Sequence, residues 1–252
     1  MRYLLTGGSG LLCTELRNQA PDLFVAPSHE DLDITKINDS IVAERIRKDA
    51  SITGILHAAA FTSPPKCEEN KDLAFETNVI GTENLARWAD SRGIYRPRFK
   101  FVLISTDYVY SGKHGFHTED ENPSPCNYYA WTKLMQEIVV RNYTPHLIIR
   151  TTFAKREPWP FPKAFVDHFT SKDFVDVIAA RIIDLIKVDA AEGVVNIGTE
   201  RKSLYDLARK VSPEVGQMSI KDLPFTVPDD TSLDCSKYWN IVHKNTSTLN
   251  GE

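Results

Sequence analysis

A tyrosine and a lysine four residues apart, Tyr129 and Lys133, are the side chains of this sequence best suited to proton transfer. On a helix both would lie on one face, roughly 6 Å apart along the axis. An ammonium beside a phenol favours the phenolate, which lowers the tyrosine pKa from its usual value of about 10. Such a tyrosine can give a proton to a ketone oxygen as hydride arrives. The spacing alone is equally typical of an ordinary amphipathic helix, so its meaning depends on the surrounding sequence.

A glycine-rich turn near the start of the chain supplies a second signal. The turn runs from Gly7 to Gly10, after a short apolar run and before a helical pattern that begins at Leu11. Glycines let the backbone approach a phosphate, and the unpaired N–H groups at a helix N-terminus attract the anion. Cys13 stands where the dinucleotide-binding pattern has a third small residue. The turn therefore predicts a nucleotide cradle, with one departure from the usual spacing.

Strands and helices alternate along the chain, and the strands are almost continuously apolar. Repeated βα units of this kind predict an α/β fold of the Rossmann type, a doubly wound parallel sheet that binds ligands beyond the carboxyl ends of its strands. We expect a nucleotide-binding domain over residues 1–153 and a shortened substrate lobe over 154–252, interleaved with the core. The predicted elements are strands at 3–5, 23–26, 55–60, 99–105 and 147–150, and helices at 11–17, 37–47, 72–90, 128–141 and 175–187.

Composition narrows the class of protein. The chain has 252 residues, which is long enough for one sizeable α/β core, and its formal charge is −4. We expect a cytoplasmic protein that binds neither membrane nor nucleic acid, because the sequence has no signal-peptide pattern, spanning segment or basic stripe. Metal-ligand spacing is lacking among the four cysteines, so we predict free thiols and no metal site. Those cysteines are Cys13, Cys67, Cys126 and Cys235.

Motifs spread over nearly the whole chain resemble the extended short-chain dehydrogenase/reductases and, among them, the dTDP-4-dehydrorhamnose reductases. The motifs follow one another in the order that this family shows. They are the stretches 6–10 (TGGSG), 32–35 (LDIT), 58–62 (AAAFT), 78–82 (NVIGT), 105–110 (STDYVY), 129–133 (YAWTK), 149–152 (IRTT), 196–198 (NIG) and 233–237 (LDCSK).

The resemblance implies roles for particular residues. Tyr129 would be the proton donor, and Lys133 would hold the nicotinamide ribose while lowering the tyrosine pKa. Thr106 would hydrogen-bond the substrate carbonyl, although a strand-end threonine can also bond only its own loop. Asn78 would tie loop backbone together and support the site indirectly. The residues expected to face a nucleotide-sugar substrate are Thr62, Asp107, Tyr108 and Phe153.

The cofactor prediction rests on the end of the second strand. NAD sites place an acid there for the ribose 2′-OH, whereas here Ser28 and His29 precede the first acid, Glu30. We therefore predict NADPH, with NADH possible and with a loop-capping role as the alternative for both residues. His57 is expected to be a structural histidine. The predicted cofactor contacts are Gly7, Ser9, Gly10, Leu11, Ser28, His29, Asp33, Ile34, Ala58, Ala59, Ala60, Tyr129, Lys133 and Thr152.

Two departures from the family bear on function. Asp107 stands where bifunctional epimerase-reductases of this kind carry a cysteine, which favours reduction without epimerisation. The stretch 154–163 contains Pro158, Pro160 and Pro162 in place of a longer helical segment, and predicts an extended, helix-free connection. The favoured function is NADPH-dependent reduction of a 4-keto-6-deoxy sugar nucleotide. The alternatives are a catalytically silent NADP-binding regulatory subunit and an epimerase or dehydratase of the same superfamily. A homodimer through the helices at 72–90 and 128–141 is also plausible by resemblance.

Overall fold

The computed structural model describes residues 2–90, 99–143, 145–223 and 227–249. Twelve strands lie in these ranges: β1 (Arg2–Thr6), β2 (Phe24–Val25), β3 (Ile52–His57), β4 (Lys100–Thr106), β5 (His146–Thr151), β6 (Phe153–Ala154), β7 (Lys163–Phe165), β8 (Phe169–Thr170), β9 (Asp173–Phe174), β10 (Gly193–Ile197), β11 (Lys202–Ser203) and β12 (Gly216–Met218). Nine α-helices accompany them: α1 (Leu11–Gln19), α2 (Ile41–Lys48), α3 (Pro64–Glu69), α4 (Lys71–Phe75), α5 (Gly81–Asp90), α6 (Tyr128–Arg141), α7 (Val175–Ile186), α8 (Leu204–Arg209) and α9 (Ser236–Leu249).

Six of the strands form one parallel sheet in the order β10-β5-β4-β3-β1-β2, which confirms the Rossmann-type prediction. The chain leaves β1 toward β2 on one side and returns to β3 on the other. Ligands bind at such a reversal of strand order, beyond the carboxyl ends of the strands. In the neighbouring pair, Thr106 at the end of β4 lies opposite Thr151 at the end of β5. The register thus brings the predicted motifs to one edge.

Both faces of the sheet are covered, because successive strand residues point to opposite sides. Leu5 and Leu56 face a core cluster shared with α1 and α7, while Leu4 and Ile55 face one shared with α2 and α5. All four side chains are fully buried. Each such burial stabilises the fold by roughly 1.5–3 kcal/mol. No helix in the described part of the chain has the length and apolarity needed to cross a membrane.

The helix that carries the Tyr/Lys pair has the predicted bounds. Asn127 caps α6 by accepting a hydrogen bond from the Ala130 N–H at 2.8 Å, a strong start signal for a helix. The predicted helix at 72–90 differs, because α4 and α5 are separated by a π-helical turn over Glu76–Ile80. The predicted helix at 37–47 also begins late: a 3₁₀ segment, Ile34–Asp39, precedes α2.

After β5 the chain makes short strand pairs rather than a second large sheet. β6 pairs with β9, β7 with β12 and β8 with β11. The described stretch between β6 and β7 contains no helix, as its prolines predict. Strand β10 then returns to the main sheet beside β5. The later residues therefore complete the Rossmann sheet as well as building the segment beside it.

A buried charged pair links the sheet to α6. Arg150 on β5 and Glu137 on α6 are 1% and 0% exposed, and the guanidinium donates to both carboxylate oxygens at 3.0 and 2.8 Å. Ser105 donates to the same carboxylate at 2.6 Å. Arg150 also donates to the Tyr110 hydroxyl, which in turn donates to Asn196 on β10. These bonds support β4 directly beside Thr106.

Candidate active site

A cleft of about 940 Å³ opens along the carboxyl edge of the sheet and runs from the glycine turn to the N-terminal part of α6. At its first end, Gly7 has a φ of +81°, and a Cβ there would lie 2.8 Å from the Ala59 backbone nitrogen. Only glycine fits this close approach of two strand ends without strain. The turn is therefore required by the fold as well as being suited to a ligand.

The same end of the cleft presents a helix N-terminus. Gly10 is the N-cap of α1, no side chain in the described chain caps it, and the first turn carries no acid. A Cβ on Gly10 would meet only the Gly7 carbonyl oxygen, at 3.1 Å, so this glycine leaves open space on the cleft side. Backbone N–H groups and the helix dipole there favour an anion. These features fit a pyrophosphate.

The other end of the cleft places a hydroxyl and a phenol together. Thr106 and Tyr129 both line this end, and the Thr106 hydroxyl donates to Asp107 at 3.2 Å. Burial raises the pKa of the Tyr129 phenol, the Asp107 carboxylate raises it further, and the nearby Thr106 hydroxyl opposes both. Burial likewise raises the pKa of Asp107. Tyr129 is therefore protonated at neutral pH.

The Lys133 ammonium is held by two acceptors, one on β4 and one on its own helix. It is buried and donates to the Ile104 carbonyl at 2.7 Å and, through a short bond, to the Gln136 amide oxygen. Burial lowers the pKa of Lys133 to about 7, and the charge of Glu137 opposes this shift. The lysine lines the cleft together with Tyr129.

His57 anchors a buried polar network behind the cleft. Its ring nitrogens contact the hydroxyls of Thr6 at 2.7 Å and Thr82 at 2.8 Å. Burial lowers the pKa of His57 to about 3, with a smaller contribution from the Lys133 charge. Gln136 donates to Thr82 at 2.6 Å and so joins His57 to Lys133. The interpretation of His57 as a structural histidine agrees with these contacts.

Asn78 lies in the π-helical turn and holds two other elements in place. Its amide exchanges hydrogen bonds with the Phe61 backbone at 2.7 and 3.1 Å, and it donates to Thr132 on α6 at 2.9 Å. The loop after β3 is thereby fixed to the helix that carries Tyr129. This matches the indirect, supporting role that the family resemblance implies.

Nearly all the predicted site residues line the cleft. The exception is Ser28, which is exposed and bonds Asp31 at 2.8 Å in its own loop, as the loop-capping alternative expects. The predicted residues brought together are Gly7, Ser9, Gly10, Leu11, His29, Asp33, Ile34, Ala58, Ala59, Ala60, Thr62, Thr106, Asp107, Tyr108, Tyr129, Lys133, Thr152 and Phe153.

Two residues that line the cleft beside Asp33 were not predicted from the sequence. Thr35 and Lys36 lie in the 3₁₀ segment, where Asp33 accepts hydrogen bonds from the Thr35 N–H and hydroxyl at 2.9 and 2.8 Å. A helix had been predicted from Ile37, which left Lys36 outside any recognised motif. The 3₁₀ segment instead brings this lysine to the cleft, which His29 also lines.

A family model described as RmlD substrate binding domain matches residues 1–197. The chain belongs to the RmlD substrate binding domain family. The matched region includes every predicted site residue and ends with β10, the last strand of the main sheet. Membership confirms the resemblance on which the residue roles were based.

Curated relatives of the chain carry different names. A dTDP-4-dehydrorhamnose reductase of Sinorhizobium fredii is 30% identical over 187 residues, 72% of this chain and 60% of the relative. A probable low-salt glycan biosynthesis reductase of Haloferax volcanii is 33% identical over 169 residues, 61% and 53% of the two chains. The methionine adenosyltransferase 2 subunit beta of Rattus norvegicus is 30% identical over 146 residues, 55% and 42%. The chain thus spans about half the length of the curated relatives it matches.

Solved structures are similar over more of the chain. A hypothetical dTDP-4-dehydrorhamnose reductase from Sulfolobus tokodaii is 27% identical with a TM-score of 0.78, over 96% of this chain and 94% of that one. A dTDP-4-dehydrorhamnose reductase from Bacillus anthracis, solved in complex with NADP, has a TM-score of 0.78 at 24% identity, over 99% and 92%. This second similarity concerns the fold.

Proposed function

We propose that this chain catalyses the NADPH-dependent reduction of a 4-keto-6-deoxy sugar attached to a nucleotide, as an extended short-chain dehydrogenase/reductase. The observation that carries the proposal is that Thr106 and Tyr129 share one cleft with the glycine turn and Lys133. The names of the reductase relatives and the NADP complex of the Bacillus anthracis reductase support the same conclusion.

The cofactor would lie along the backbone-built end of the cleft. Gly7, Ser9 and Gly10 would receive the pyrophosphate at the N-terminus of α1, and Asp33 and Ile34 would border the adenine. Lys133 would contact the nicotinamide ribose. When bound, NADPH would supply the hydride. The close approach of Gly7 to Ala59, which a Cβ would prevent, keeps this part of the cleft in shape for the cofactor.

Proton delivery falls to Tyr129. Because burial and Asp107 raise its pKa, the phenol stays protonated until the substrate oxygen gains negative charge. The proton then moves from the phenol oxygen to that oxygen, while Thr106 donates a hydrogen bond to the same atom. Thr62, Asp107, Tyr108 and Phe153 line the adjoining surface and would contact the sugar.

A second candidate is a catalytically silent NADP-binding subunit. It is supported by the similarity to the methionine adenosyltransferase 2 subunit beta over 55% of this chain. Both candidates use the cofactor end of the cleft, and they differ in whether Thr106 and Tyr129 perform chemistry.

An assay with the full chain separates the two candidates. We expect NADPH consumption with at least one member of a panel of nucleotide-linked 4-keto-6-deoxy sugars. In Tyr129→Phe, turnover should fall by about 10²-fold or more while the dissociation constant for NADPH changes little, because the ring remains and only the transferable proton is lost.

The neighbouring Tyr128→Phe is the matched control. Tyr128 stacks on Trp131 at the protein surface, with ring centroids 5.3 Å apart, so its hydroxyl should not matter for turnover. Near-normal turnover in Tyr129→Phe would contradict the proposed chemistry. Tight NADPH binding without turnover of any sugar in the panel would favour the silent subunit.

A further inference from the structure

The loop between β4 and α6 gathers two histidines and a glutamate away from the cleft. The ligand atoms that His114, His117 and Glu121 offer all lie within 4.8 Å of one another. Glu121 Oε2 is 2.7 Å from Nδ1 of His117 and 3.7 Å from Nε2 of His114. The described residues that line the active-site cleft include none of the three. The proposed reaction therefore gives this cluster no role.

These distances are compatible with a common metal ion. Zn²⁺ binds imidazole nitrogen and carboxylate oxygen at about 2.0–2.2 Å, so two ligands of a tetrahedral ion lie roughly 3.3–3.5 Å apart. The separations of 2.7 and 3.7 Å fall on either side of this value. Small side-chain rotations would bring all three atoms to one ion and leave a fourth position for water.

One ligand is held rigidly by its surroundings. The His117 side chain is 0% exposed and stacks on Tyr110, with ring centroids 4.7 Å apart and planes 6° from parallel. Its backbone N–H donates to the Ser232 carbonyl, and its carbonyl accepts from the Asp234 N–H, both at 2.9 Å. A ligand fixed before binding loses little conformational entropy when the ion arrives.

The second histidine provides access and a free lone pair. His114 is 62% exposed, so an ion can reach the cluster from solvent. Its Nδ1 lies 3.1 Å from the Gly115 carbonyl oxygen. Because a carbonyl oxygen can only accept, this hydrogen bond requires a proton on Nδ1. The neutral ring then presents the Nε2 lone pair on the side of Glu121. A hydrogen bond from the other ring nitrogen is what orients most metal-bound histidines.

The charges and donor types select the kind of ion. Between residues 113 and 121, three carboxylates, Glu119, Asp120 and Glu121, stand against one ammonium, Lys113, which favours a cation. Two imidazoles with one carboxylate suit zinc and neighbouring transition metals, whereas Mg²⁺ and Ca²⁺ prefer all-oxygen sites.

We propose that His114, His117 and Glu121 bind one divalent transition-metal ion, of which Zn²⁺ is the best match. Since the His117 backbone is hydrogen-bonded to residues 232 and 234, the ion would tie His114 and Glu121 to the part of the loop that is already held by that later segment. The cysteine spacing predicted no metal, and these three ligands lie in a loop without a recognised motif.

The test is a Zn²⁺ titration of the chelator-treated full chain in competition with a chromophoric chelator. We expect one site, and we expect His114→Ala to weaken it by at least about tenfold, since loss of an outer-shell partner alone can cost 10–100-fold in metal affinity. Glu121→Gln should weaken it as well. His243→Ala, which changes another exposed histidine, should leave it unchanged, and Mg²⁺ should not compete.

Three results would overturn the proposal. The first is the absence of Zn²⁺ binding, which would mean that His117 and Glu121 form a hydrogen bond only. The second is equal Zn²⁺ affinity in the His114→Ala variant. The third is loss of the site in Cys126→Ser, which would assign the zinc to the exposed thiol. Thermal unfolding gives an independent measurement: Zn²⁺ should raise the melting temperature of the unmodified chain more than that of His114→Ala.

Discussion

The two ends of the cleft are built in different ways. At the cofactor end, the surface is formed by the backbone, through the positive φ of Gly7 and the N-terminus of α1, which no described side chain caps. At the catalytic end, the surface is formed by side chains, and these are held by buried partners such as Gln136 and Glu137. A backbone site tolerates variation around it, as the buried Cys13 shows at a position where the pattern has a smaller residue. A side-chain site depends on residues far away in sequence.

Removing the buried ion pair behind the catalytic end should have the largest effect on stability. Glu137→Gln leaves the Arg150 guanidinium buried without its counter-charge, and we expect the free energy of unfolding to fall by about 3–5 kcal/mol. Glu83→Gln is the control, because Glu83 pairs with the solvent-exposed Arg87 and its loss should change stability far less. Urea unfolding of both variants measures the difference, and equal losses would contradict it.

Gly10→Val tests whether the backbone-built end of the cleft binds the cofactor. The Gly10 φ of −69° suits any residue, and a Cβ would meet only the Gly7 carbonyl oxygen, so the fold should survive. The side chain would fill the space intended for the pyrophosphate, and we expect the NADPH dissociation constant to rise on the order of 100-fold, or about 2.7 kcal/mol. Calorimetric titration of the folded variant provides the measurement. Unchanged binding would show that the turn has only a structural role.

The pH dependence of stability tests the burial of Lys133. Its pKa is about 7 in the folded chain against an unfolded value of 10.5, so between these values the unfolded state binds more protons. Stability therefore rises with pH across this window, by at most about 1.4 kcal/mol per unit. Relative to Lys133→Met, the unmodified chain should gain about 1–2 kcal/mol between about pH 7 and pH 9. A flat difference would show that Lys133 is not desolvated.

The smallest expected effect concerns cofactor choice. Lys36 and His29 line the cleft, whereas Ser28 bonds Asp31 in its own loop. Lys36→Ala should therefore reduce the preference for NADPH over NADH several-fold, about 1 kcal/mol, through loss of a charge-assisted bond to the 2′-phosphate. Ser28→Ala should leave the preference unchanged. Dissociation constants of both cofactors decide this, and an effect of Ser28→Ala alone would reverse the assignment.

The sequence predicted the parts of the molecule that obey local rules. Residues 128–141 carry a capping residue and a helical pattern, so α6 was located correctly. Local rules do not reveal which distant groups meet. The partner of Lys133 proved to be Gln136 and the Ile104 carbonyl, and the shift of the Tyr129 pKa came from burial and Asp107. The π-helical turn was missed because its apolar spacing barely differs from that of a regular helix.

The packing of α1 on α7 has a consequence for synthesis on the ribosome. Leu12 and Leu16 on α1 share their core cluster with Ile178 and Ile182 on α7, which are translated some 160 residues later. Because translation proceeds at about 5–20 residues per second, the apolar face of α1 stays exposed on the order of ten seconds or more before α7 can pack on it. Nascent chains arrested before residue 175 should be cleaved readily by protease in this first helix, and chains arrested well beyond residue 197 should resist. The first helix of the chain is thus among the last to be protected.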